Sequence, residues 1–304
     1  MKSEIRKDYI EDKYVIIAPK RSKRPKEVAE AVQPKVKKGR CVFCPGNIRS
    51  SEIIQTYGQK PWDFVVLDNV FPAVSLDYKK AYGKQEVVVE TREPKKQLHQ
   101  FSVTKIKELL DVYADRTKKI QQYKKIEYIL IFKNAGNKAG ASIGHAHSQI
   151  FATQLIPPHL KEKQKRLYGY YRWHSSCLYC EILEKERKGP RLVYEDESVV
   201  AFTPYASMHT YEVWILPKAH RDNIAELTDQ EKKSWAKAMK MILTKIDKLG
   251  LPYNYYFHQI IPDKTQHLYM KIIPRKGTWA GVELGTGLMI NPVSPEDAAE
   301  YYRG

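Results

Sequence analysis

Residues 142–152 read SIGHAHSQIFA. The stretch has the look of a strand end, and at roughly 3.3 Å of rise per residue His145 and His147 stand about 6 to 7 Å apart on one face, with Gln149 beyond them. A worn copy lies downstream. GHAHSQIFA from Gly144 aligns with QHLYMKIIP from Gln266, so His267 matches His145, Tyr269 matches His147 and Lys271 matches Gln149. One imidazole recurs in both halves and the other does not.

The match extends outward. CVFC at Cys41–Cys44 recurs as CLYC at Cys177–Cys180, and QEVVVETREP at Gln85–Pro94 recurs as YEVWILPKAH at Tyr211–His220. Each half places an amphipathic helix between its second and third marks. In the first, Ser102 is the N-cap before Ile106, Leu109, Leu110 and Tyr113; in the second, Thr228 and Glu231 form a capping-box pattern before Trp235, Met239, Ile242 and Ile246. The order in each half is CxxC knuckle, strands, helix and histidine strand. Segments such as EVVVE, YEVWIL and EYILIF are short and β-rich. Together these features predict an α+β fold of two tandem repeats with antiparallel sheets. Pro157 and Pro158, in QLIPPHLKEKQKRLYGY, interrupt the pattern. They divide the chain into an N-terminal repeat, 1–160, with the histidine motif and a degenerate C-terminal repeat, 161–304, with a metal site.

The 304 residues suffice for one large or two ordinary domains, and 42% hydrophobic residues with 21 Tyr describe an ordered globular protein. No run approaches the roughly 20 apolar residues of a membrane span, and MKSEIRKDYIEDKY lacks an apolar signal core, so a cytoplasmic location is expected. The formal net charge of +17 suggests an anionic partner, either nucleic acid or a phosphorylated metabolite, although abundant lysine also marks heat-stable surfaces. Because the basic residues are spread along the chain without a recognised binding motif, a zinc-containing nucleic-acid binder is the weaker reading. The segment PKRSKRPKEVAEAVQPKVKKGR reads mainly as a solvated loop.

Two CxxC pairs in a reducing compartment indicate metal ligands or redox pairs before structural disulfides, and the lack of a thioredoxin-like βαβ context around the second pair favours metal there. About 130 residues separate the pairs, far more than a compact zinc ribbon allows, so each pair is expected to find histidines in its own half. The second set is complete: Cys177, Cys180, His220 and His267. The first has Cys41, Cys44 and His145, but Pro94 stands where His220 does. His99, five residues on, is either a displaced fourth ligand or the start of the next helix, which would leave a three-ligand or metal-free site. His159, His174, His209 and His258 read as surface or core residues.

The architecture therefore has no need of His147. Just upstream, NAGNKAGASIG supplies Asn134, Gly136, Gly140, Ser142 and Gly144, a loop able to cradle phosphate oxygens. A neutral imidazole beside it can attack an α-phosphorus, forming a phosphoramidate that splits one substitution into two. Gln149 can hydrogen-bond a non-bridging oxygen meanwhile.

These residues closely resemble the galactose-1-phosphate uridylyltransferase family, a branch of the histidine-triad superfamily. The likeness covers APKRSKRP, CVFCPGN, LDNVFPA, NAGNKAGASIGHAHSQIFA and GVELGTGLMINPVSPEDAAEYYR. It implies that His147 carries a nucleoside monophosphate covalently and that Gln149 steadies the intermediate. It further implies phosphate contacts at Arg21, Arg24, Asn134 and Ser142, with Gly140 in the same loop, a nucleoside pocket including Asn69 and Phe71, and sugar reading by Glu283. The implied reaction is ping-pong: UDP-glucose uridylylates the histidine and releases glucose 1-phosphate, then galactose 1-phosphate takes up the uridylyl group. One or two zinc ions per chain and a homodimer with active sites near the subunit interface are implied as well. Three departures stand out: Pro94 for the family's histidine, HAH for HPH, and ELGTGLMIN, which is more like the ADP-glucose phosphorylase branch. The alternative reading is accordingly an ADP-glucose or dinucleotide phosphorylase using the same histidine.

Overall fold

A computed structural model describes residues 2–23, 41–261 and 263–304. The first half contributes strands β1 (Glu4–Lys7), β2 (Tyr14–Ile17), β3 (Ile53–Tyr57), β4 (Phe64–Asp68) and β5 (Gly83–Val89), helix α1 (Val103–Ile120), and strands β6 (Tyr128–Ala135) and β7 (His147–Thr153). Helices α2 (Pro158–His174) and α3 (Leu178–Glu186) follow. The second half runs through β8 (Leu192–Glu195), β9 (Val199–Phe202), β10 (Val213–Pro217), helix α4 (Asp229–Lys248), β11 (Tyr253–His258) and β12 (Tyr269–Pro274), then α5 (Gly281–Thr286), β13 (Met289–Asn291) and α6 (Pro295–Arg303).

Ten strands form one sheet in the order β3-β4-β5-β7-β6-β11-β12-β10-β9-β8. Counted outward from the middle, the two halves have the same order, β6, β7, β5, β4, β3 and β11, β12, β10, β9, β8. Their junction is the antiparallel pairing of β6 with β11, from Tyr253↔Ala135 to Tyr256↔Phe132. That pairing covers the edge each five-stranded half would otherwise expose. All pairings in this sheet are antiparallel. A smaller sheet, β1-β2-β13, adds one parallel pairing, where C-terminal β13 lies along β2.

Helices α1 and α4 pack together on one face of the large sheet. Their buried stripes, including Ile106, Leu109, Leu110 and Tyr113 of α1 and Trp235, Met239, Ile242 and Ile246 of α4, form the principal core with Val88, Ile150 and Ala152 of the sheet. Both helices start as their sequences predict: Ser102 accepts the Lys105 N–H, and Thr228 and Glu231 close a reciprocal capping box. Side chains alternate across a strand. With Ser148, Ile150 and Ala152 turned toward the helices, and the Ser148 hydroxyl 2.7 Å from that of Tyr113, His147, Gln149 and Phe151 point to the opposite, open face.

The two halves treat that open face differently. In the second, α2 and α3 lie over it, and Leu167, Tyr179, Ile182 and Leu183 pack against Trp214 and Tyr269. In the first, the knuckle reaches the face through Phe43 and Ile48, which pack on Val65, Leu67, Val87 and Val89. A cavity is left beside His147. No helix among the described residues is long and apolar enough to cross a membrane.

Candidate active site

His147 is the first residue of β7, and its side chain is held by local backbone. Its Nδ1 lies 2.8 Å from the His145 carbonyl, so Nδ1–H donates and Nε2 keeps its lone pair. Burial pushes the imidazole pKa below its ordinary value, which favours the neutral ring that a nucleophile requires. The Phe43 ring rests against it, centroid to centroid 5.0 Å. Behind the strand, the Lys133 ammonium donates to the His147 carbonyl at 2.8 Å and to Glu90 Oε2 at 2.7 Å.

His147 and Gln149 line a cavity of about 360 Å³ together with Asn69, Phe71 and Ser142. Five of the residues singled out in the sequence thus converge. Asn69 Oδ1 accepts the Phe71 N–H at 2.9 Å, forming a tight turn at the rim, where Phe71 is 90% exposed. Arg49, which sequence reading passed over, lines the same cavity, where its Nε lies 3.4 Å from Glu52 Oε1. Its only signal was its place just after the CPGN turn.

Other candidates lie elsewhere. Arg21 and Glu283 line a second cavity of about 260 Å³ with His209, Arg275, Lys276 and Trp279. The cause is topological: Arg21 follows β2, and β2 pairs with β13, which carries the N-terminal segment to the C-terminal one. His209 and Trp279 stack there, 5.6 Å apart and 19° from parallel. Asn134 is turned from the His147 cavity toward β11, where its Oδ1 accepts from Asn254 Nδ2 at 2.8 Å. Gly140 lines neither cavity; it turns the loop with φ +86°, a conformation suited to glycine. Arg24 lies outside the described residues.

The two Cys/His clusters are near copies. In the second, the ligand atoms of Cys177, Cys180, His220 and His267 lie within 4.8 Å of one another, and so do those of Cys41, Cys44 and His145 in the first. Cys180 Sγ is 3.4 Å from His267 Nδ1, and Cys41 Sγ is 3.3 Å from His145 Nδ1. On the far side of each ring, Nε2–H donates to a backbone carbonyl, that of Pro217 at 2.9 Å and that of Thr91 at 2.7 Å. Pro217 and Thr91 are matching positions of the repeat. Both histidines therefore offer Nδ1 to a metal while the other nitrogen is anchored, the usual arrangement behind a ligating imidazole.

His99 does not complete the first cluster. Leu98 beside it is fully buried in the core, and this anchor turns His99 toward α4, where its Nε2 sits 3.5 Å from Asp247 Oδ2. Among the described residues the first cluster has three members able to ligate a metal.

Two family models match the chain: the N-terminal domain of galactose-1-phosphate uridyl transferase over residues 1–157 and the C-terminal domain over residues 161–269. An ADP-glucose phosphorylase of Arabidopsis thaliana is 31% identical, covering 99% of this chain and 92% of its own. The galactose-1-phosphate uridylyltransferase of Thermotoga maritima is 32% identical, covering 99% and 98%. The crystal structure of an Arabidopsis thaliana ADP-glucose phosphorylase with bound ADP-glucose superposes with a TM-score of 0.88 at 29% identity, covering 100% of this chain and 98% of that one. The fold and these likenesses define an enzyme of the nucleotidyltransferase class. The chain belongs to the galactose-1-phosphate uridylyltransferase family.

Proposed function

We propose that this enzyme transfers a nucleoside monophosphate from a nucleotide sugar to an acceptor phosphate through a covalent bond to His147 Nε2. The observation that carries this reading is the donation of Nδ1–H to the His145 carbonyl, which leaves Nε2 as the lone-pair nitrogen of a buried neutral ring. Nε2 attacks the α-phosphorus, the N–P bond forms as the bond to the β-phosphoryl oxygen breaks, and hexose 1-phosphate departs. A phosphate oxygen of the acceptor then attacks the same phosphorus and restores the free imidazole. Gln149 Nε2 and Ser142 donate to non-bridging oxygens, Arg49 balances their charge, and Asn69 and Phe71 hold the nucleoside.

The first reading of the substrates is UDP-glucose with galactose 1-phosphate as acceptor. A second, ADP-glucose with inorganic phosphate as acceptor, is favoured by the likeness over the full chain to the ADP-glucose phosphorylase structure. In either, Arg21 and Glu283 read the sugar phosphate. They line a cavity other than that of His147, so the reading includes a homodimer in which one chain completes the site of its partner.

Zinc fits the donor sets: two thiolates and two anchored imidazoles in the second cluster, two thiolates and one imidazole in the first. Bound there, zinc serves as a structural cross-link. The first cluster would hold the start of β7 through His145. The reading also includes a division between residues 1–160, with His147, and 161–304, with the four-ligand cluster, and a cytoplasmic location.

Incubation with UDP-glucose or with ADP-glucose, followed by intact mass spectrometry, is the test. A uridylyl adduct is expected under the first reading and an adenylyl adduct under the second, with His147→Ala forming none. Absence of any adduct on the unsubstituted protein, or an adduct on His147→Ala, would overturn the covalent mechanism.

A further inference from the structure

Gln85 lies on β5, next to β7, on the open face. Its backbone carbonyl accepts the Asn69 N–H at 3.1 Å, and its side-chain Oε1 accepts the Ala73 N–H at 3.0 Å. A peptide N–H is met by the oxygen of a side-chain amide and never by its NH₂ group. The Gln85 side chain is therefore held one way round. Its Nε2 is directed at Gln149 Oε1, 3.0 Å away. With that oxygen occupied, the Gln149 NH₂ group is the end left for a ligand in the cavity that Gln149 lines with His147.

The direction matters because phosphate oxygens only accept. A glutamine without a partner samples both orientations of its amide, and in one of them a carbonyl oxygen confronts the anionic phosphate. The same Gln85 also seats the segment from Asn69 to Ala73, which carries the nucleoside-facing Asn69 and Phe71.

We propose that Gln85 is a positioning residue for nucleotidyl transfer: it fixes the amide of Gln149 with its NH₂ toward the transferring phosphate and ties that amide to the 69–73 loop. This rests on the covalent reading of His147 given above.

Gln85→Glu separates this role from a merely structural one. The carboxylate keeps the shape and still offers an oxygen to the Ala73 N–H, so the loop stays seated. It presents a second acceptor to Gln149, however, whose amide must reverse to donate to it. The single-turnover rate of His147 nucleotidylation is expected to fall roughly 10- to 100-fold, with a smaller change in half-saturating substrate concentration. In a Gln149→Ala background the same substitution is expected to add about threefold or less, because the two residues act as one unit. An unchanged rate for Gln85→Glu, or an equal loss with Gln149 already removed, would sink the proposal. If the unsubstituted protein forms no adduct, the covalent reading fails by itself. The amide direction is then read from neutron structures of the unsubstituted and Gln85→Glu proteins, where a reversed Gln149 is expected and an identical orientation in both overturns the assignment.

Discussion

Lys133 carries more of the site than its place inside β6 suggests. Fully buried, its ammonium meets Glu90 Oε2 and the His147 carbonyl, while Glu90 Oε1 finds no hydrogen-bond partner among the described residues. Removing the cation strands a buried carboxylate. Lys133→Met is expected to cost about 3–5 kcal/mol in chemical denaturation, and Lys133→Met with Glu90→Leu to recover much of that; equal loss in single and double variants would show the pair to be uncoupled. At this scale the sequence was partly legible. The repeat separated His147 from His145, because Tyr269 replaces one and His267 preserves the other. Which nitrogen of His147 is free, and which way the Gln149 amide faces, depend on the His145 carbonyl and on Gln85, contacts to which no spacing rule points.

Among the elements, α4 shows how well local signals can be read. Its Thr228–Glu231 box forms as the sequence predicts, and Thr228→Ala is expected to lower stability by about 1 kcal/mol, measured by urea unfolding. The prolines at the join between the repeats open helix α2, which closes the second half's counterpart of the His147 cavity. There Lys163 of α2 donates to the hydroxyl of Tyr269, the residue matching His147. Burial, with the nearby Lys271 charge second, lowers the Lys163 pKa to about 7 from 10.5. The folded state thus gives up its proton first. The cost of holding a buried ammonium is fully present below pH 7 and fades as pH rises toward 10.5. Relative to Lys163→Met, the unsubstituted protein is expected to gain stability with pH across that window in thermal melts; parallel curves would contradict a buried, strained charge.

For the whole molecule, the two Cys/His clusters and the two cavities set the predictions. Chelation is expected to lower the melting temperature, and metal analysis to show tighter retention at the four-ligand cluster than at the three-ligand one. Pro94→His supplies an imidazole where the repeat has His220, and slower release of a second equivalent of zinc in a chelator competition is the outcome that would support it. The separation of Arg21 and Glu283 from His147 is tested by mixing: His147→Ala and Glu283→Ala chains, each inactive, are expected to recover activity when co-refolded. No recovery would place a complete site within one chain.

The amino-acid sequence alone determined the two-repeat plan, its antiparallel α+β character, the capped helices and all seven residues of the two Cys/His clusters, leaving only His99 open. These follow from periodicity, capping chemistry and internal comparison, which act along the chain. Only the tertiary structure decided that the halves join at β6 and β11 into one ten-stranded sheet, because edge pairing is a contact between distant segments. It also turned His99 away, since burial of Leu98 in the core governs the direction of its neighbour. The open cavity at His147 and the filled place at Tyr269 were decided in the same way. The difference arises from what packs over each half of a shared face, a property that neither repeat carries by itself.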